Sequence, residues 1–297
     1  REGHATTQIR FVLNGASITE SAKAINQCLF QGRTLLPEIN HVVIRWRMNL
    51  VAFVLDISKM FLMIGLKYGK DYLRFVWRFC QKNIPPRIFR MIVVTFGIIS
   101  SPFQAIDIVL KHADMVKEEL PLAAQEVLLQ IYMDDVPGGA SDAATAKKKI
   151  DQLWKFFQSA SMIPHKFASN DSSILEDIPK ENKNPDPIIK VLGILWDSTA
   201  DQIKFNLVLP KRYETFDTKR SFIETSATIF DPIGLLSPFV MRIKHLFQQV
   251  WLTEDAELAR TKKGWDTPLP KVIQQEWNTI REEIPTINEI AIPHCFF

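Results

Sequence analysis

Leu128-Leu129-Gln130-Ile131-Tyr132-Met133-Asp134-Asp135-Val136-Pro137-Gly138-Gly139 is the stretch whose reading decides the fold. An apolar run of strand-forming character stops at two adjacent carboxylates, and Pro-Gly-Gly follows almost at once. The pattern predicts a strand, a tight reversal at the acids, and a short return strand ended by turn residues. Taken alone it is equally a plain turn, because Asp is a common turn residue whose side chain bonds nearby backbone. A second run shifts the balance. Val51-Ala52-Phe53-Val54-Leu55-Asp56 is also apolar and also closes on a carboxylate, which predicts another buried strand. Laid side by side, the two strands bring Asp56 to the Asp134-Asp135 pair at one end of a sheet.

Three carboxylates at one spot repel unless cations sit between them. An oxygen-only donor set favours Mg²⁺, with Mn²⁺ as the alternative. Two such ions clamp the attacking and leaving oxygens of an in-line phosphoryl displacement. A strand-borne Asp with Tyr132-Met133-Asp134-Asp135 resembles the palm of reverse transcriptases. Along nearly its whole length the chain resembles the reverse transcriptase region of BEL/Pao-type LTR retrotransposon polyproteins. Further matching pieces are Phe96-Gly97-Ile98-Ile99-Ser100-Ser101-Pro102, His165-Lys166-Phe167-Ala168-Ser169-Asn170, Val191-Leu192-Gly193-Ile194-Leu195-Trp196-Asp197 and Ile229 to Pro238.

The resemblance implies an α+β fold, a right-hand polymerase core of fingers, palm with an antiparallel sheet, and helical thumb. It puts fingers at 1–47 and 65–95 and palm at 48–64 and 96–208. The thumb, with the start of a following connection, takes 209–297. The implied activity is RNA-directed DNA polymerisation, adding deoxynucleotides to a primer 3′-hydroxyl on a template. Asp56, Asp134 and Asp135 are the implied ligands of two Mg²⁺ ions, one acting on the attacking hydroxyl and one on the triphosphate. Arg10, Phe61, Phe96 and Gly97 are the implied nucleotide contacts, with Phe61 excluding a 2′-hydroxyl. Lys166 is the implied proton donor to pyrophosphate. Tyr132 and Met133 would lie under the primer end, with Leu192 and Gly193 in the primer grip.

Several of these residues also carry plainer readings. Arg10 suits phosphate through its planar fork, or simply ends a strand that spans Gln8 to Asn14. By spacing alone Phe61 reads as core, which only the resemblance reverses, and Lys166 fits a surface. Asn14 stands where the family pattern has Asp, which removes a charge near the nucleotide.

Elsewhere, local pattern predicts further elements. Arg74 to Arg78 and Phe89 to Val94 read as strands around Pro85-Pro86, with Arg74, Arg78 and Arg90 facing template phosphates or solvent. Ser101 is expected to cap a helix with Gln104, along Phe103, Ile106, Leu110, Ala113 and Val116. Ser141-Asp142 caps a second, with Ile150, Leu153, Trp154 and Phe157 on one face and Lys147-Lys148-Lys149 solvated. Val191 to Trp196 and Ile203 to Leu207 read as a hairpin. Helices are then expected after Thr218, from Ser237-Pro238, and from Lys271 to Glu283.

At 297 residues the chain buries a substantial core, and 46% hydrophobic with 23% charged residues is globular composition. A net charge of +3 leaves any nucleic-acid role to local basic surface. Three scattered cysteines, Cys28, Cys80 and Cys295, give neither a disulfide framework nor a zinc motif. No apolar run reaches the ~20 residues of a membrane span. The expected setting is a cytoplasmic virus-like particle, without signal segment or membrane. The chain starts without Met and reads as a piece of a polyprotein whose protease, ribonuclease H and integrase domains lie outside it. No Asp-Ser/Thr-Gly, Gly-x-Ser-x-Gly, His-Glu-x-x-His or P-loop pattern is present. Two rivals stay open: a decayed or host-adopted module that binds nucleic acid without polymerising, and a non-enzymatic structural fragment.

Overall fold

Alternation along Val51–Ser58 builds the first half of the molecule: Phe53, Leu55 and Ile57 are buried in one core, which leaves Asp56 on the opposite face. The computed structural model describes residues 11–18, 20, 23–208, 218–252 and 262–297. In chain order the elements begin with α1 (Ile39–Arg47), β1 (Val51–Ser58), β2 (Arg74–Trp77), β3 (Arg87–Arg90), α2 (Ser101–Val116) and α3 (Pro121–Gln130). They continue with β4 (Asp135–Ala140), α4 (Ala143–Ser159), β5 (Ile163–Ser169), β6 (Ile188–Val191), β7 (Ile194–Asp197) and β8 (Gln202–Lys204). The chain closes with α5 (Lys219–Ser226), α6 (Ser237–Leu252), α7 (Lys262–Trp265), α8 (Lys271–Ile287) and β9 (Ala291–Pro293). Among the described residues this is a mixed α+β architecture whose three sheets are antiparallel.

Two compact units divide the chain, one from residues up to 38 and 51–185, the other from 39–50 and 186–297. The division differs from the expected boundaries. Residues 39–47 leave the first fingers segment for the second unit, and 186–208 group with the C-terminal helices.

In the first unit the sheet runs β4-β1-β5. Helices α2, α3 and α4 supply Ile106, Val109, Val127, Ile150, Leu153 and Phe157 to one core with the inward face of β1. The expected α2 begins at the right place, but Ser100 is its N-cap; Ser101 instead donates to the Thr95 carbonyl at 2.7 Å. Asp142 caps α4 as expected, accepting from the Thr145 amide at 2.8 Å.

The deciding stretch differs from its expected form. Leu128 to Gln130 are the last turn of α3, because Ala123, Ala124, Gln125, Glu126 and the leucines are strong helix formers after Pro121. Pro137-Gly138-Gly139 do not end the return strand; they lie inside β4. As an edge strand β4 tolerates a proline. Gly138 is there for space, since a Cβ would stand 2.5 Å from Glu126 Oε1 and 2.6 Å from the Phe53 ring.

Lys149 also departs from the solvated face expected of it. Its Nζ donates to Glu126 Oε2 and to the Gly139 carbonyl, each at 2.6 Å, and both side chains are largely buried. Breaking a buried pair strands the other charge. Lys149→Ala is therefore expected to destabilise the fold by about 3 kcal/mol. Joining it to Glu126→Leu should recover much of the loss in urea unfolding. An unchanged midpoint in the single variant would show the pair to be dispensable.

The second unit pairs a sheet, β6-β7-β8-β9, with α1 and the C-terminal helices. Val191 to Trp196 is not one strand: Leu192 and Gly193, at φ 48° and 93°, reverse the chain between β6 and β7. The expected hairpin survives as β7–β8. Arg47 donates to the carbonyls of His294 (2.8 Å) and Pro293 (3.0 Å), and Trp46 packs on Trp196 and His294. Helix α6 buries Phe239, Ile243, Leu246 and Val250 against Ile273, Trp277 and Ile280 of α8. The last helix passes its expected end at Glu283 and runs through Pro285 to Ile287.

Candidate functional site

Register brings the acids together. Asp56 on β1 is the direct cross-strand partner of Asp135 on β4, and opposed residues of an antiparallel pair share a face. Tyr132 and Asp135 exchange backbone hydrogen bonds of 2.9 and 3.1 Å, closing a two-residue turn over Met133-Asp134. The Asp134 carbonyl accepts from the Ile57 amide at 2.7 Å, which ties this turn to β1. All three acids therefore meet at one end of the sheet, as the sequence predicts, although the strand expected before them is a helix.

The third strand adds the cation. Between Val54↔Ala168 and Asp56↔His165 the β1–β5 register slips by one residue, so Lys166-Phe167 oppose Leu55 alone. Adjacent strand residues normally point to opposite faces. The bulge, with Lys166 at φ 53°, lets both His165 and Lys166 reach one carboxylate. Lys166 Nζ lies 3.0 Å from Asp56 Oδ2, and His165 Nδ1 lies 3.2 Å from Asp56 Oδ1. Strict strand alternation from Lys166 would send His165 to the other face, so local pattern hides its role; the only signal in the sequence is its place beside Lys166.

These groups line a cavity of about 720 Å³ with Phe11, Phe61, Phe75, Phe96 and Met133. Three non-glycine residues on its wall, Lys59, Met133 and Lys166, have φ of 50–57°. Left-handed backbone at such residues costs roughly 1–3 kcal/mol each and clusters at working sites. Phe61 is both core and wall: it is 9% exposed and packs its ring 4.9 Å from Phe96. Gly97, at φ 91°, is also required by its local packing. A Cβ there would fall 1.8 Å from the Leu13 carbonyl oxygen.

Leu192 and Gly193 belong to the second unit, where Gly193 makes room for the Phe230 ring. Arg10 lies outside the described residues, and Phe11 to Asn14 are not strand. Tyr132 is half-buried beside the turn.

Burial pushes the Asp135 carboxyl up to about 7, reinforced by the charges of Asp134 and Asp56 and opposed by Lys166. A carboxyl so placed calls for a positive charge. Among the described residues no three His, Cys, Asp or Glu side chains form a ready-made metal cage. The expected sharing of two ions by Asp56, Asp134 and Asp135 is thus not preformed: Lys166 Nζ donates to Asp56 Oδ2 at 3.0 Å, and His165 Nδ1 sits 3.1 Å from the Asp56 backbone carbonyl and 3.2 Å from Oδ1. The donor chemistry still fits a hard divalent cation, being carboxylate oxygen throughout. Among the described residues no helix is long and apolar enough to cross a membrane.

Residues 218–297, less than a third of the chain, match the model described as a Pao retrotransposon-like RNaseH-like domain. No curated protein matches the chain. The family match supports an origin in a BEL/Pao retrotransposon polyprotein, with nucleic acid and further polyprotein domains as its partners. It also revises one expectation, that any ribonuclease H-type region lies wholly outside these residues. The described part of that segment is helices α5–α8 and the short strand β9.

Proposed function

We propose that the chain is the RNA-directed DNA polymerase core of a BEL/Pao-type retroelement, a nucleotidyltransferase with a right-hand arrangement. One observation carries the reading: Asp56, Asp134 and Lys166 line a cavity large enough for a nucleotide, and Asp135 is the cross-strand partner of Asp56. Asp56, Asp134 and Asp135 would hold two Mg²⁺ ions, which supply charge neutralisation at the triphosphate and at the attacking hydroxyl. The protein's own share is to position and to exchange protons. Phe61 and Phe96 wall the side where the sugar is placed, and Met133 with Tyr132 supports the primer end. Lys166 gives a proton to the departing pyrophosphate. Arg10 is assigned to the triphosphate and Leu192-Gly193 to the primer, by motif.

A binding-only module is favoured by one feature, the ammonium of Lys166 already seated on Asp56. Primer extension separates the two. With a primed RNA template, deoxynucleoside triphosphates and Mg²⁺, the polymerase reading expects product that lengthens with time. Tight template binding without extension would decide for the module.

A further inference from the structure

Phe96 to Ile99 lie in neither helix nor strand, yet they bring the Phe96 ring to the cavity wall. A segment without ladder bonds keeps its place only through the partners its peptide groups find. One side chain supplies two of them. Asn26 Nδ2 donates to the Gly97 carbonyl at 3.0 Å, and Asn26 Oδ1 accepts from the Ile99 amide at 3.0 Å. These main-chain partners allow one orientation of the amide, because a flip would set oxygen against oxygen and N–H against N–H. Asn26 thus serves Gly97 and Ile99 as the backbone of a neighbouring strand would.

The clamp is itself held. Asn26 N–H donates to the Gly15 carbonyl at 2.9 Å, and Leu13 N–H donates to the Phe96 carbonyl at 3.0 Å. Gly15 leaves the room: a Cβ there would stand 2.7 Å from Asn26 Oδ1 and 2.5 Å from the Gly97 carbonyl oxygen. In a space this tight, a longer side chain cannot take the place of asparagine. Aspartate has the shape and still accepts from Ile99, but it donates nothing to Gly97 and sets a charge against that carbonyl. Beyond the loop, Phe96 packs 4.9 Å from Phe61, and both rings line the cavity. Close-packed interiors transmit strain, so a displaced Phe96 displaces the largely buried Phe61 as well.

We infer that Asn26 is a positioning residue: by fixing Gly97 and Ile99 it sets how closely Phe96 and Phe61 approach the sugar of a bound nucleotide, and so the preference for deoxyribose over ribose. The inference rests on the polymerase reading for its substrate. Two measurements on the full chain test it. In hydrogen exchange, Asn26→Ala is expected to speed exchange of a peptide spanning residues 96–100 and to leave Val51–Ser58 unchanged. Unchanged exchange at 96–100 overturns the inference without reference to activity. The second measurement is the ratio of kcat/KM for deoxynucleotides to that for ribonucleotides, on a primed RNA template with Mg²⁺. Asn26→Ala should lower this ratio about ten-fold, the scale of two ordinary hydrogen bonds. Asn26→Asp, which keeps the bond to Ile99 and the size of the side chain, should fall between and serves alone if the alanine variant does not fold. A merely structural side chain would slow both nucleotides alike. An unaltered ratio in the variants therefore overturns the inference and leaves the polymerase reading standing. Absence of extension by the unaltered protein overturns both.

Discussion

Asp134→Asn is expected to lower primer extension by roughly two to three orders of magnitude, the scale lost when one preorganised electrostatic contact is removed at a reacting centre. Asp134 is exposed at the tip of the Tyr132–Asp135 turn, and its backbone carbonyl, not its side chain, holds Ile57. The substitution keeps size and backbone geometry, so stability and oligonucleotide binding should hardly move. That split between folding and turnover is what a catalytic carboxylate requires. Asp56→Asn should show the same loss, with some change in stability, because Asp56 is bound by Lys166 and His165. Extension that survives either change would remove the acids from the chemistry and leave the fold likeness alone.

The second large effect is on stability against pH. The folded Asp135 carboxyl titrates near 7, whereas an unfolded Asp titrates near 3.9. Its folded pKa is raised, so the folded state holds the proton longer than the unfolded state does. Below about pH 4 both states are protonated and the group costs nothing. As pH climbs from about 4 to 7 the unfolded chain ionises first and stability falls, by at most about 4 kcal/mol. Above 7 the penalty is complete and constant. In chelator, Asp135→Asn should therefore unfold at higher urea than the unaltered protein at pH 8, and at nearly the same urea at pH 4. A difference that does not vary with pH would show that Asp135 is not strained by its neighbours. Millimolar Mg²⁺ should shrink the gap at pH 8, since a cation bound only to the folded acids stabilises them.

Much of this was legible in residue order. Val51–Ser58 is a strand because its apolar residues run unbroken into Asp56, and α4 follows from Asp142 and the spacing of Ile150, Leu153 and Phe157. The stripes of α6 and α8 were equally plain, since helical periodicity needs only near neighbours. The errors have physical causes. Leu128-Leu129 reads as strand by hydrophobicity, but helix propensity extending back to Pro121 wins when those leucines are not needed in the core; they are 51% and 44% exposed. Pro-Gly-Gly reads as a turn, yet serves as strand where an edge spares the proline and the Phe53 ring demands a glycine.

By itself the amino-acid order pointed to three acids at the ends of strand-like runs and to helices flanking them. Which side chains meet was decided only in three dimensions. The pairing of Asp56 with Asp135 depends on register, a property of two strands. The arrival of both His165 and Lys166 at Asp56 depends on a single extra residue in β5, which breaks the alternation that local sequence obeys. The Asn26 clamp likewise joins one side chain to a loop 71 and 73 positions on. Local pattern reflects short-range backbone preference, whereas a site is made by long-range contacts that no neighbouring residue reports.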